Sequence, residues 1–125
     1  MLDAHEFTSA YGYRLVSVGD DQATITVPFL KRWERPGGIV SGQVYMAAAD
    51  CAMWIAILGN HGRGPMTVTT ELNTAFIAAA RDEDISCTAR ILKNGRRLIY
   101  GTADCFTLGG KLLSHHMLTY ARASS

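Results

Sequence analysis

Apolar and polar positions along the chain switch period twice. From Gln22 to Phe29, Ala23, Ile25 and Val27 alternate with Gln22, Thr24 and Thr26, the period of two that predicts a strand. Tyr13 to Val18 reads as a strand before it, with Gly19-Asp20-Asp21 as the turn between them. Residues 2–10 predict a short opening helix, and Arg35-Pro36-Gly37-Gly38 a loop that closes this first unit. From Ser41 to Leu58 the alternation disappears into a nearly continuous apolar run, stopped by Gly59-Asn60 and the glycine-rich His61-Gly62-Arg63-Gly64-Pro65, which predicts one long helix. Alternation returns beyond Pro65. Met66 to Ala78 is rich in Thr, Val and Phe, and Asp84 to Leu92 sets Ile85, Cys87, Ala89 and Ile91 on one face. Asn94-Gly95 and Gly109-Gly110 are hairpin signals that bound strands at Arg97 to Thr107 and Lys111 to Ala121. Two strands, one helix and four further strands give an α+β fold, an antiparallel meander with one helix to cover.

The helix is apolar all round, so protein must surround it, from its own sheet and from a second subunit. Ser41 is placed to cap it, its hydroxyl accepting from an N–H two or three residues on. The N–H of Gly42, at the first helical position, would then point out along the positive end of the helix dipole. Asp50 is the helix's one charge and lies seven residues after Gln43, on nearly the same face. A carboxylate among apolar side chains is costly unless a donor or cation compensates. Two roles are open for it: a structural carboxylate tied to Thr, Arg or backbone groups, or a reactive one that brackets a small ligand together with the helix amide.

Composition narrows the classes. The 125 residues are 48% hydrophobic and only 18% charged, with a formal net charge of +1, so they suit one folded domain spanning 1–125 and not a disordered chain. The neutral balance gives no reason to expect nucleic acid or an anionic membrane as partner. Cys51, Cys87 and Cys105 are three widely spaced cysteines, fitting neither a disulfide framework nor a zinc site, and they point to a reducing cytoplasm. Met1-Leu2-Asp3-Ala4-His5-Glu6 carries no basic or apolar leader pattern, so no signal peptide is expected. Asp50 at the middle of the apolar run argues against a membrane span.

The stretch Ser41-Gly42-Gln43-Val44-Tyr45-Met46-Ala47-Ala48-Ala49-Asp50-Cys51-Ala52 resembles the helix motif of hot-dog fold acyl-CoA thioesterases of the PaaI type: His-Gly-Gly, six mostly apolar residues, then Asp. The resemblance continues through Thr69-Thr70-Glu71-Leu72-Asn73-Thr74-Ala75-Phe76 and Leu92-Lys93-Asn94-Gly95-Arg96-Arg97-Leu98, and ends at Thr119-Tyr120. It implies a long central helix wrapped by a curved antiparallel sheet, homodimers that share a continuous sheet, and homotetramers made as dimers of dimers. It also implies Asp50 as nucleophile or general base, Gly42 N–H as oxyanion donor, and Thr69, lent by the partner subunit, as the residue that orients water or the carboxylate. The substrate would be an acyl-CoA, with no cofactor and no metal. Ser41 and Gln43 depart from the family's His and second Gly. Ser41 keeps the capping role, and Gln43 adds a side chain beside the oxyanion position.

Other residues carry weaker expectations. Arg96 and Arg97 are candidates for CoA phosphates and Asn73 for substrate contact, while Met46 and Trp54 are candidate lining for a medium-chain or aromatic acyl group. His115 and His116 alternate in a strand, so they point to opposite faces and cannot chelate one metal together. Cys51 reads as a packing residue. A hot-dog dehydratase or hydratase is the second enzymatic reading, disfavoured because no His lies in or just before the helix. A non-catalytic acyl-CoA-binding oligomer is the third.

Overall fold

The strongest alternation in the chain makes the centre of the sheet. The computed structural model describes residues 14–27, 34–35, 39–40, 42–58, 67–79 and 83–122. Strands β1 (Arg14–Gly19), β2 (Gln22–Val27), β5 (Thr67–Phe76), β6 (Ile85–Asn94), β7 (Leu98–Thr107) and β8 (Leu112–Arg122) form one antiparallel sheet in the order β1-β2-β6-β7-β8-β5. Among the described residues one helix, α1 (Gly42–Leu58), lies across one face of this curved sheet. The first-unit loop contains a small ladder of its own, β3 (Glu34–Arg35) against β4 (Ile39–Val40). The expected opening helix at 2–10, Ser41, Pro28-Phe29 and the glycine-rich run after the helix lie outside the described residues.

Burial follows the period-two pattern. Ala23, Ile25 and Val27 on β2, and Ile85, Cys87, Ala89 and Ile91 on β6, face the helix and are buried. From the helix side, Val44, Tyr45, Ala48, Ala49, Cys51, Ala52, Met53, Ile55, Ala56 and Ile57 fill the same core. Each large aliphatic side chain taken fully out of water contributes about 1.5–3 kcal/mol. At Gly101 of β7, a Cβ would collide with Met53 Cε from the helix and lie 2.6 Å from Arg90 O. Only a hydrogen fits there.

The helix is nevertheless not covered all round. Met46, Ala47, Asp50, Trp54 and Leu58 are half-buried and Gln43 is exposed, at spacings of three and four that define one stripe. That stripe carries the helix's only charge.

The two expected hairpins differ in detail from their sequence signals. The β6–β7 turn is not centred on Asn94-Gly95. Asn94 still pairs with Ile99, Gly95 N–H donates to Leu98 O at 2.9 Å, and Arg96-Arg97 form the tip. The β7–β8 turn does use its glycines. Gly110 sits at φ 98°, which an L side chain rarely adopts, and its N–H donates to Thr107 O at 2.9 Å.

Candidate active site

Asp50 stands midway along α1, over the end of the sheet where β5, β8 and β7 meet. The register there is unusual. Down β5, Leu72 opposes Leu118 and Thr74 opposes His116, so even-numbered residues face the helix. Continued unbroken, that alternation would place Thr70 opposite Tyr120 and turn Thr69 outward. A bulge between Thr69 and Glu71 instead sets Thr69 directly opposite Tyr120, on the helix side. Bulges commonly re-aim a side chain in this way. Thr70, the extra residue, returns its hydroxyl to Thr119 O at 3.1 Å.

The pair so formed converges on one oxygen. Thr69 Oγ1 donates to Asp50 Oδ1 at 2.9 Å, and Tyr120 OH donates to the same Oδ1 at 2.5 Å while lying 2.9 Å from the Asp50 carbonyl oxygen. Among the described residues, no donor reaches Oδ2. Burial, then the adjacent Asp50 charge, pushes the Tyr120 hydroxyl far above its usual range, so it remains a donor at any ordinary pH. The same two causes raise the Cys51 thiol to about 12, which keeps it an unreactive packing group.

The expected site residues divide between those the fold gathers and those it separates. Asp50 and Thr69 meet, but within one chain; Thr69 needs no partner subunit to reach Asp50, contrary to the expectation, because the bulge turns it toward its own helix. Gly42 is eight residues from Asp50 along a straight helix, about 12 Å at 1.5 Å per residue. The two cannot act on one carbonyl from the same chain. Gly42 is also not open on every side: the Phe76 ring lies against it, and a Cβ there would be 2.9 Å from Phe76 Cε1. Met46 and Trp54 lie one turn before and one turn after Asp50 on the half-buried stripe, with exposed Gln43 at its start. Ser41 lies outside the described residues. Asn73 opposes Met117 on the outer face of the sheet and donates to Glu71 Oε2 at 3.3 Å, so it does not join Asp50. Arg96 and Arg97 are exposed at the tip of the β6–β7 turn. Leu98 and Ile99 just beyond them pair with Ala121 and Tyr120, which puts the basic tip at Asp50's end of the sheet.

Tyr120 is the residue that reasoning from sequence missed as a member of this site. Its signal would have been the pairing of Thr69 with the last strand, which a local pattern does not encode.

His115 and His116 point to opposite faces, as expected. His115 Nδ1 bonds Asp104 Oδ1 at 2.5 Å on the outer side, and His116 is buried under the helix. Among the described residues, no group of three or more His, Cys, Asp or Glu could hold a metal ion, and no helix is long and apolar enough to cross a membrane.

One helix packed across a curved six-stranded antiparallel sheet, with a carboxylate half-way along it, is the hot-dog arrangement of thioester hydrolases. Residues 37–114, more than half of the chain, match the thioesterase superfamily, and the protein belongs to that family. A conserved protein of Pseudomonas aeruginosa, PA5202, is 29% identical with a TM-score of 0.86, covering 94% of this chain and 93% of its own. The PaaI protein of the Escherichia coli phenylacetic acid degradation operon superposes with a TM-score of 0.89 at 15% identity, covering 98% of this chain and 92% of its own. A hypothetical thioesterase of Streptococcus pneumoniae, solved with coenzyme A, does so with a TM-score of 0.89 at 16% identity, covering 100% and 98%. A search of curated sequences returns no match.

Proposed function

We propose that the protein hydrolyses acyl-CoA thioesters of medium-chain or aromatic acids, with Asp50 as nucleophile or general base and the Gly42 N–H as oxyanion donor. The observation that carries this reading is the asymmetry of Asp50: Oδ1 holds two hydrogen bonds, and Oδ2 receives none among the described residues. As a base, Oδ2 takes a proton from water while the water oxygen adds to the thioester carbonyl carbon. As a nucleophile, it adds there itself and expels the sulfur as thiolate, leaving an acyl anhydride on Asp50. Water then cleaves the anhydride, which frees the acid, restores the carboxylate and supplies the proton the thiolate takes up. On either route negative charge develops on the carbonyl oxygen and the C–S bond breaks; on the base route the proton taken from water passes to the leaving sulfur. One preorganised donor aimed at such an oxygen is worth about 2.7–4 kcal/mol where a side-chain donor has been removed from another hydrolase.

Because Gly42 and Asp50 of one chain are too far apart, the donor would come from the partner subunit's Gly42. Support for such a dimer lies in β5, ten residues long and, among the described residues, bonded only to β8, with Val68 and Phe76 exposed. An unprotected edge of that length is a template for a second copy. Met46 and Trp54 beside Asp50 support an apolar acyl group, and Arg96-Arg97 at the same end of the sheet support contact with CoA phosphates. The pneumococcal relative, solved with coenzyme A, supports CoA as the carrier. The chemistry needs neither metal nor cofactor, and three free cysteines suit a cytoplasmic setting.

The dehydratase reading calls for a histidine base at the carboxylate. The nearest on β8, His116, is four residues from Tyr120, about 13 Å at 3.3 Å per residue, and is held in bonds of its own. Thiol release from a panel of acyl-CoAs tests the proposal. Release by the wild type and its loss in Asp50→Asn is the expected result. Acyl-CoA binding without thiol release, seen by calorimetry, would establish a non-catalytic binder instead.

A further inference from the structure

Resting on that reading, we infer that Tyr120 is a positioning residue: it anchors Oδ1 of Asp50 so that Oδ2 is the oxygen presented to the thioester or to water. Three observations carry this. Tyr120 is nearly fully buried in β8, its backbone paired to Ile99 on one side and Thr69 on the other, so its hydroxyl is held by the sheet and not by solvent. That hydroxyl lies within bonding distance of both the side chain and the main chain of Asp50, which ties the carboxylate's rotation to the helix backbone. The bulge at Thr70 brings a second donor, Thr69, onto the same oxygen and not onto the other one.

The arrangement separates two tasks that one carboxylate oxygen cannot perform together. An oxygen accepting two hydrogen bonds is fixed in place and has its charge partly neutralised, so it is a poor base. Its twin receives no donor among the described residues. Because the Tyr120 proton is engaged by Asp50, the tyrosine donates nothing to substrate and acts only through the carboxylate.

The test uses the full-length protein labelled with 13C at the aspartate carboxyls. The Asp50 resonance is assigned by its absence in Asp50→Asn. In Tyr120→Phe, loss of a donor to Oδ1 is expected to move the Asp50 carboxyl resonance at fixed pH, because that oxygen is then held by Thr69 alone. A hydrogen bond to a charged group is worth about ten- to a hundred-fold when removed. That loss is expected in kcat, with KM unchanged. Placing 3-fluorotyrosine at position 120 keeps the shape and strengthens the donor, so the resonance moves the opposite way; this second variant serves even where Tyr120→Phe folds poorly. An Asp50 resonance unmoved in both variants, with wild-type hydrolysis intact, overturns the role of Tyr120 alone. A wild-type protein that releases no thiol from any acyl-CoA overturns the thioesterase reading, and the positioning role falls with it.

Discussion

Two polar clusters sit four residues apart on the same pair of strands, and they are built to opposite ends. In one, His116 is buried between Thr74 Oγ1, 2.8 Å from Nδ1, and Ser114 Oγ, 2.8 Å from Nε2, with Cys105 Sγ 3.8 Å from the same Nε2. Hydroxyls both donate and accept, so either tautomer of the ring is satisfied on both sides. In the other, Thr69 and Tyr120 occupy the corresponding cross-strand pair, but both give their bonds to a single oxygen of Asp50. The first cluster closes on itself; the second, among the described residues, leaves one strong acceptor over. A buried network with every group paired specifies a fold. A carboxylate with one oxygen anchored and the other without a donor among the described residues, on the least covered stripe of its helix, fits the reactive role proposed for it.

The sharpest way to break this contrast is to exchange the two losses. Asp50→Asn keeps the shape and both donors' positions but removes the charge. It should cut kcat/KM for acyl-CoA hydrolysis by about a hundred- to ten-thousand-fold, the range for removing a base. The thermal midpoint should hardly move. His116→Ala should do the reverse: a loss of about 3 kcal/mol by urea unfolding, from the cavity and the orphaned hydroxyls of Thr74 and Ser114, with kcat per folded molecule unchanged. If His116→Ala abolished turnover while leaving stability intact, the division between a structural and a reactive cluster would be wrong.

This division explains what the sequence could and could not reveal. The sheet is legible because burial obeys period two: Ala23, Ile25, Val27, Ile85, Cys87, Ala89 and Ile91 all face the helix. Asp50 stands out as the one charge in an apolar helix. Thr69 is reached only through family resemblance, which assigns it to the partner subunit, because a one-residue bulge inverts the facing that alternation predicts. Tyr120 is invisible because its role depends on a pairing between residues 51 positions apart in sequence. Asn73 follows the regular alternation instead: beyond the bulge, odd-numbered residues of β5 turn outward, which puts it on the face away from Asp50. Asn94-Gly95 misleads in a different way, since its register pairs Asn94 with Ile99 and pushes the turn onto Arg96-Arg97.

That displaced turn supplies a smaller test, aimed at binding and not at chemistry. Replacing Arg96 and Arg97 together by Ala should raise KM for acyl-CoA about fivefold at low ionic strength, with kcat unchanged. Exposed charge pairs contribute up to about 1 kcal/mol each and are screened by salt, so the difference from wild type should vanish near 1 M NaCl. A KM indifferent to both the substitution and salt would remove the hairpin tip from the CoA site.

The smallest expected effect is the most discriminating within the reactive cluster. Thr69→Val preserves shape and β-branching and deletes one of the two donors to Oδ1. With Tyr120 still in place at 2.5 Å, the carboxylate should stay oriented. A single hydrogen bond is worth about 1 kcal/mol, so kcat should fall only about fivefold and the unfolding free energy should shift little at this exposed edge position. A loss rivalling that of Asp50→Asn would mean that Thr69 handles the attacking water itself. No loss at all would mean that Tyr120 alone holds the carboxylate. The two donors on Oδ1 are then unequal partners, and the bulge that brings Thr69 inward would answer to the sheet edge instead of to Asp50.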